Sequence, residues 1–114
     1  MYGDIQQWFK REGALFLKDI GIRSGYLVLD FGCGSGHYAI PAAKVVGKSG
    51  WVYALDQNRA VFSKLMAEAS TMGLNNIVAV QSLGELSEIK VIQDYREGYG
   101  EGGFIVIQVR KASL

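Results

Sequence analysis

The stretch from Tyr26 to Gly36 restricts the possible folds of this chain more than any other part of its sequence. It begins with a nearly continuous apolar run, YLVLDF, and ends abruptly in the glycine-rich sequence GCGSG. An uninterrupted apolar run of this length is typical of a parallel strand that is buried on both faces. A glycine-rich turn directly after such a strand is typical of α/β folds, in which the turn leads into a helix.

Alternating helix and strand patterns surround this strand. Residues 4–20 predict an amphipathic helix, with Asp4 as a candidate N-cap, Gly13 as a candidate break and Gly21 as the residue that stops it. The elements predicted after the glycines are a helix over 37–46, a strand from Trp51 to Asp56, a helix from Arg59 to Met72 capped by Asn58, and a strand from Asn76 to Gln81. The order α-β-α-β-α-β favours a parallel sheet covered by helices.

The C-terminal part of the chain changes in character. Two β-rich stretches, from Glu88 to Arg96 and from Phe104 to Lys111, flank the glycine-rich sequence EGYGEGG. This pattern predicts a β-hairpin, and the strands of a hairpin are antiparallel. The sheet is therefore expected to be mixed.

Composition narrows the classes of function. A length of 114 residues provides one small core, and a formal net charge of +1 lacks the basic excess of a dedicated nucleic-acid-binding protein. One cysteine, Cys33, and one histidine, His37, exclude an intramolecular disulfide and a Cys/His zinc site. No apolar run approaches about 18 residues, so neither a signal peptide nor a membrane span is predicted. We expect a cytoplasmic protein.

The glycine-rich loop is the candidate binding site. Gly32, Gly34 and Gly36 occupy alternate positions where the first strand turns into a helix, and this is where open α/β sheets bind ligands. Asp56 closes the second strand twenty residues after Gly36. A carboxylate at that place accepts hydrogen bonds from both hydroxyls of an adenosine ribose. The pattern therefore predicts a nucleoside site.

Charge indicates which nucleoside is bound. The dinucleotide fingerprint GxGxxG requires its third glycine at position 37, where His37 stands. Asp30, at the end of the first strand, would repel a pyrophosphate and suits a cationic ligand instead. S-adenosylmethionine carries an ammonium and a sulfonium on the same adenosine unit, so the loop with Asp30 and Asp56 favours this cofactor.

The sequence VLDFGCGSG followed by VYALD resembles motifs I and II of the class I S-adenosylmethionine-dependent methyltransferases, in the ubiquinone-biosynthesis-like branch. The resemblance extends from about Gly21 to Gln81. It implies an α/β, Rossmann-like three-layer sandwich with a partial methyltransferase sheet of strand order 3-2-1. The C-terminal antiparallel hairpin resembles the closing strands of that family, whereas its fourth and fifth strands have no counterpart. Residues 1–114 are interpreted as a single minimal domain.

The resemblance also implies roles for individual residues. The three loop glycines would line the methionine moiety, Asp30 would meet its amino group and Asp56 the ribose. Gln57 would flank the adenine. Cys33 in the loop and Ser82 after the third strand complete the candidate cofactor-binding residues, and the Cys33 thiol is expected to be unreactive because nothing cationic lies beside it.

Two aromatic features allow alternative interpretations. Trp8, Phe9 and Phe16 are interpreted as core or interface residues, with a helix that caps the cofactor cleft as the alternative. His37 is interpreted as a helix-start residue, with a polar neighbour of the methionine end as the alternative. No catalytic residue is assigned, because methyl transfer needs chiefly in-line positioning.

Two functions remain open on the sequence alone. The first is a minimal methyltransferase that converts S-adenosylmethionine to S-adenosylhomocysteine with an unknown acceptor. The second is a non-catalytic module or regulatory subunit that binds either compound. A nicotinamide-dependent oxidoreductase is disfavoured by Asp30 and His37. The connector from Ser82 to Ser87 spans at most about 20 Å, which we expect to be too short to carry the hairpin to the vacant side of the first strand. We therefore expect a homodimer, with the hairpin exchanged or packed across the interface.

Overall fold

The structure is a computed structural model. It describes residues 5–82 and, for the backbone, the two strands Ile89–Asp94 and Val106–Lys111. Asp4, the candidate N-cap, lies outside the described residues.

The elements follow the predicted order. The N-terminal helix consists of α1 (Ile5–Gln7), a π-helical turn (Trp8–Glu12) and α2 (Gly13–Ile20). The remaining elements are β1 (Leu27–Phe31), α3 (Ala39–Val46) with a short 3₁₀ turn (Gly47–Ser49), β2 (Trp51–Leu55), α4 (Val61–Thr71), β3 (Ile77–Val80), β4 (Ile89–Asp94) and β5 (Val106–Lys111). The predicted boundaries of β1, β2 and β3 hold to within one residue, because buried runs and the glycines that end them are local signals.

Local sequence signals explain where three helices end or begin. Gly21 ends α2 with a φ of 117°, as predicted. Helix α3 begins at Ala39 rather than at His37, so Pro41 lies in its first turn, where a missing N–H is tolerated. Helix α4 begins at Val61, and the side-chain oxygen of Asn58 accepts the N–H of Ala60 just before it, at 3.0 Å.

The sheet has the order β3-β2-β1-β5-β4. Strands β1, β2 and β3 are parallel, with Asp30 level with Ala54 and Leu55 level with Val80. Strand β5 pairs antiparallel with β1 and with β4. The predicted α/β architecture with parallel strands in the order 3-2-1 is confirmed.

The described helices all pack on one face of this sheet. Their side chains form one buried cluster with the strands, which includes Leu17, Val28, Ile40, Val52 and Leu65. A second cluster on the opposite face contains strand residues alone, built around Leu29, Leu55 and Val80. The described residues therefore supply two of the three layers expected of a three-layer sandwich. None of the described helices is long and apolar enough to cross a membrane.

The N-terminal helix corrects the expected break at Gly13. Gly13 has helical backbone angles, and the irregular part of the helix is the π-helical turn that precedes it. A Cβ atom on Gly13 would lie 2.6 Å from Cγ of Pro41 and 2.8 Å from Cε2 of Trp8. Glycine is required here because α3 approaches the helix closely, and the helix passes through the position without a break.

The strand order corrects the argument about the length of the connector. From the end of β3 to the start of β4, the chain crosses four strand spacings, about 19 Å, and descends about 20 Å along the sheet. The straight diagonal is then about 28 Å, whereas the residues 81–88 can span about 30 Å. The prediction that the hairpin cannot reach the vacant side of β1 is wrong. It counted six connecting residues where eight are available, and it added the sideways and downward distances where the chain needs to span only their diagonal.

Candidate functional site

Backbone hydrogen bonds hold the glycine loop against the carboxyl ends of β1 and β2. The N–H of Cys33 donates to the carbonyl oxygen of Leu55 at 2.9 Å, which ties the loop to the last residue of β2. The N–H of Gly36 donates to Cys33 O at 3.0 Å, and the N–H of Ile40 donates to Gly36 O at 3.0 Å. The loop is therefore a fixed turn between β1 and α3.

Asp56 connects the loop to the end of β2. Its Oδ2 accepts the N–H of Gly34 at 2.9 Å, and its Oδ1 accepts the N–H of Asn58 at 2.9 Å. Each carboxylate oxygen keeps a further lone pair, and the side chain is only half buried. Asp56 can therefore hold the loop and still accept hydrogen bonds from a ligand.

The loop glycines have two different surroundings. Gly32 and Gly34 have φ values of 67° and 53°, and a Cβ atom on either would meet none of the described residues within 4 Å. These two residues border open space. A Cβ atom on Gly36 would lie 2.6 Å from Cδ1 of Leu65 and 2.9 Å from Cγ1 of Ile40. Gly36 lets α3 and α4 pack close to the loop.

Asp30 is a buried carboxyl group beside the loop. It is 1% exposed, and its Oδ2 has no hydrogen-bond partner among the described residues. Burial raises the pKa of Asp30 well above its usual value, and the charge of Asp56 raises it further. A hydrogen bond from the backbone of Ala39 acts in the opposite direction. A ligand that brings a positive charge to Asp30 would stabilise the ionised form.

Cys33 has an unreactive environment. Its thiol is buried and donates to the carbonyl oxygen of Gly34 at 3.4 Å. Burial, followed by the charges of Asp30 and Asp56, raises the pKa of Cys33 to about 12. The thiolate is therefore scarce at neutral pH, in agreement with the sequence interpretation.

Gln57 and Ser82 lie beyond the carboxyl ends of β2 and β3, and both are exposed. Nε2 of Gln81 donates to the carbonyl oxygen of Gln57 at 3.2 Å. This bond joins the two segments that would flank an adenine. Sequence reasoning missed it, because no local pattern relates residues in different loops.

The N-terminal helix reaches the far end of the loop through Trp8. The indole N–H of Trp8 donates to the carbonyl oxygen of His37, and the two rings stack with centroids 5.2 Å apart. Tyr38 meets the Trp8 ring edge-on at 5.5 Å. The sequence indicated a helix that could cap the cleft, but nothing in it signalled which ring would touch the loop.

A separate cavity of about 310 Å³ lies at the other end of the sheet. Its lining includes Lys48, Trp51 and Asn76, and it contains none of the candidate cofactor-binding residues. The loop and the cavity are therefore distinct features.

A family model described as "Methyltransferase domain" matches residues 22–94, which are 73 of the 114 residues. The matched region contains the loop, Asp30 and Asp56. The chain belongs to the methyltransferase domain family.

Relatives and solved structures agree with this assignment. The domain is 39% identical over 69 residues to a probable cobalt-precorrin-6B C(15)-methyltransferase of Saccharolobus solfataricus, a match that covers 60% of this chain and 35% of that protein. It is 30% identical over 64 residues to a protein-L-isoaspartate O-methyltransferase of Fervidobacterium nodosum, covering 56% and 32%. A crystal structure of an S-adenosylmethionine-dependent methyltransferase from Aquifex aeolicus is 29% identical, with a TM-score of 0.59 over 80% of this chain and 47% of that chain. The methyltransferase domain spans about a third of the length of the curated relatives it matches.

The Aquifex aeolicus protein is described as dependent on S-adenosylmethionine. The residues present fit that group. The unpartnered Oδ2 of Asp30 is an acceptor for an ammonium, and the space in front of Gly32 and Gly34 admits a ligand close to the backbone. The remaining lone pairs of Asp56 suit ribose hydroxyls.

Proposed function

We propose that this domain binds S-adenosylmethionine at the glycine loop and transfers its methyl group to a second molecule. The observation that carries the proposal is the pair of carboxyl groups, Asp30 and Asp56, on two sides of one open loop. They are close enough for the charge of Asp56 to raise the pKa of Asp30. Such a site favours a cationic nucleoside and disfavours a pyrophosphate.

The residues of this chain bind the methyl donor and orient it. Asp30 accepts the ammonium of the methionine moiety, and Asp56 accepts the ribose hydroxyls while it holds Gly34 by its backbone N–H. S-adenosylmethionine supplies a methyl group whose bond to sulfur breaks, the electron pair staying on sulfur, as a lone pair of the acceptor forms the new bond and the acceptor's proton leaves to solvent. The protein's contribution is in-line positioning, which requires no general base.

The acceptor is not carried over from the relatives. Two of them are named for unlike acceptors, a cobalt-precorrin and a protein isoaspartate. Matches of similar length to proteins with unlike acceptors support the interpretation that the matched region serves the methyl donor. Residues of this chain outside the donor site must determine the chemical class of the acceptor.

Replacing Asp56 by alanine is expected to weaken binding of S-adenosylmethionine by about 1–3 kcal/mol, or about fivefold to more than hundredfold in Kd. The variant loses the acceptor of the ribose hydroxyls and also the anchor of the Gly34 N–H. Isothermal titration calorimetry measures the change. Asp19→Ala, an exposed carboxylate on α2, is the matched control and should bind like the wild type.

An unchanged Kd for Asp56→Ala would remove Asp56 from the site. A second experiment separates a domain that transfers the methyl group from one that only binds S-adenosylmethionine. Incubation with S-adenosylmethionine labelled in the methyl group, together with a panel of acceptors, distinguishes a transferase from a module that only binds. Labelled product that requires Asp56 supports the transferase.

We also propose that two copies of the domain associate through the sheet face opposite the helices. This face is apolar: Leu27, Phe31 and Tyr53 surround its buried cluster, and Val78, level with Tyr53, is 38% exposed. The three residues of the cluster are already buried, so the area that a second copy would cover is that of Val78 and of the part-exposed side chains around the cluster. Because the connector is long enough for β5 to lie in its own sheet, the proposal does not require an exchanged hairpin.

The oligomeric state tests this proposal. Light scattering at micromolar concentration is expected to give twice the chain mass, and Val78→Glu is expected to give the mass of one chain. Met66→Glu is the matched control, because Met66 is 40% exposed on α4, which packs on the other face. A folded wild-type monomer at these concentrations would contradict the dimer.

A further inference from the structure

Contacts with α3 hold the π-helical turn Trp8–Glu12 in place. A π-turn inserts one extra residue into a helix, and such turns are frequent at functional sites. The ammonium of Lys44 on α3 donates to the carbonyl oxygens of Phe9 and Lys10 at 2.6 and 2.8 Å. Together with the close approach of Gly13 to Pro41, these bonds hold the turn against α3.

This turn brings Trp8 to the residue that follows the glycine loop. Trp8 donates its indole N–H to His37 O and stacks on the imidazole ring, with an interplanar angle of 28°. Tyr38 stands at 89° to the indole and 5.1 Å from the imidazole centroid. We call these three rings the Trp8 patch. The His37 ring is exposed, and Trp8 and Tyr38 are half buried, so the patch presents ring surface to solvent.

His37 and Tyr38 of the Trp8 patch follow the loop in sequence, and the patch lies near Asp30, which precedes the loop. Ala39, the next residue after Tyr38, donates its backbone N–H to Asp30. The charge of Asp30, after burial, also raises the pKa of Tyr38. Asp30 is the partner argued above for the methionine ammonium, so the patch adjoins the methionine half of the donor and not the adenine half. The sulfur that carries the transferred methyl group belongs to this half, so an acceptor bound at the patch would be near the reacting centre.

We propose that the Trp8 patch binds the methyl acceptor and selects a planar aromatic or heteroaromatic ring that carries a hydroxyl or amino group. This inference rests on the proposed function and adds to it the class of acceptor. Trp8 already stacks on His37 and packs against Tyr38 and Phe16, so the surface open to an acceptor is the exposed His37 ring and the solvent-facing parts of Trp8 and Tyr38. A planar ring can stack on such surface or meet it edge-on. The ring's oxygen or nitrogen gains the methyl group and releases its proton to solvent, while the sulfur keeps the electron pair of the broken bond.

The test compares a ring with its saturated counterpart. Binding of 2-naphthol and of 2-decalol to the full chain is measured by saturation-transfer-difference NMR, with and without saturating S-adenosylhomocysteine. We expect 2-naphthol to bind in the presence of S-adenosylhomocysteine and 2-decalol to bind at least tenfold more weakly. Trp8→Ala is expected to weaken 2-naphthol binding at least tenfold.

Two further variants keep this test decisive. Trp51→Ala removes the other tryptophan, which is 46% exposed at the amino end of β2, and is expected to bind 2-naphthol like the wild type. His37→Ala removes an exposed ring and is read in place of Trp8→Ala if the latter does not fold; it is expected to weaken 2-naphthol binding severalfold.

Calorimetry with S-adenosylhomocysteine on the same samples separates the two levels of the argument. Suppose that S-adenosylhomocysteine binds, but 2-naphthol binds no better than 2-decalol, or binds to the Trp8 and His37 variants as tightly as to the wild type. The proposal of an aromatic acceptor is then overturned, and the donor site stands. If S-adenosylhomocysteine does not bind to the wild type, the proposed function fails and the acceptor proposal fails with it.

Discussion

Replacing Gly34 by valine is expected to abolish binding of S-adenosylmethionine, with Kd raised more than hundredfold. A Cβ atom at this position meets no atom of residues 5–82 within 4 Å, so the added side chain would occupy the space in front of the loop that the ligand needs. The left-handed φ of 53° adds backbone strain of about 1–2 kcal/mol for a residue with a side chain. Calorimetry and thermal unfolding measure the two effects separately.

Gly73→Val is the matched control for that experiment. Gly73 has a φ of 69°, and a Cβ atom there also meets nothing within 4 Å, but the residue follows α4 and lies away from the loop. Both variants should lose similar stability, and Gly34→Val alone should lose binding. If both variants bind normally, or if both lose binding to the same extent, the loop is not the cradle of the cofactor.

Replacing Asp30 by asparagine is expected to change ligand binding and stability in opposite directions. The amide oxygen still accepts the N–H of Ala39, but the ammonium of the ligand loses a charged partner, so Kd should rise about tenfold to hundredfold. The unliganded protein should gain stability at neutral pH, because the variant buries a neutral group in place of a carboxylate whose pKa burial raises. Calorimetry and denaturant unfolding provide the two measurements.

The pH dependence of stability follows from the direction of the pKa shift of Asp30. Its pKa is higher in the folded state than in the unfolded chain, where a carboxyl titrates near pH 4. The stability contributed by the protonated form is therefore fully present below about pH 4 and is lost as the pH rises through the folded pKa. The Asp30→Asn variant lacks this loss, so the two proteins should be about equally stable near pH 3 and diverge above about pH 4.

An exposed carboxylate provides the control for this titration. Asp19→Asn on α2 should leave both the pH profile and Kd unchanged. A wild-type stability that follows the Asp30→Asn variant at every pH would show that the buried carboxyl carries no penalty. An unchanged Kd for Asp30→Asn would exclude it as the partner of the ammonium.

Patterns along the chain predict most of the sheet and its helices. The apolar run of β1 and the glycines after it are contiguous, so their effect on the backbone does not depend on distant residues. The irregularity of the N-terminal helix was not predictable in this way. It depends on Lys44 and Pro41, which contact Phe9 and Gly13 from about thirty residues away. The prediction about the reach of the connector failed for a related reason. The levels at which β3 ends and β4 begins are properties of the assembled sheet.

For the candidate site, the order of residues predicts the kinds of group present: a glycine loop after a buried strand, and an acid at the end of each of two neighbouring strands. These features depend on spacing and on local backbone preference. Three features became visible in the packed chain: Asp30 is buried with one oxygen unpartnered among the described residues, Asp56 holds the N–H of Gly34, and Trp8 lies on His37. The physical reason is that desolvation and ring contacts arise between segments far apart in the chain, and their positions are set by how helices and strands pack.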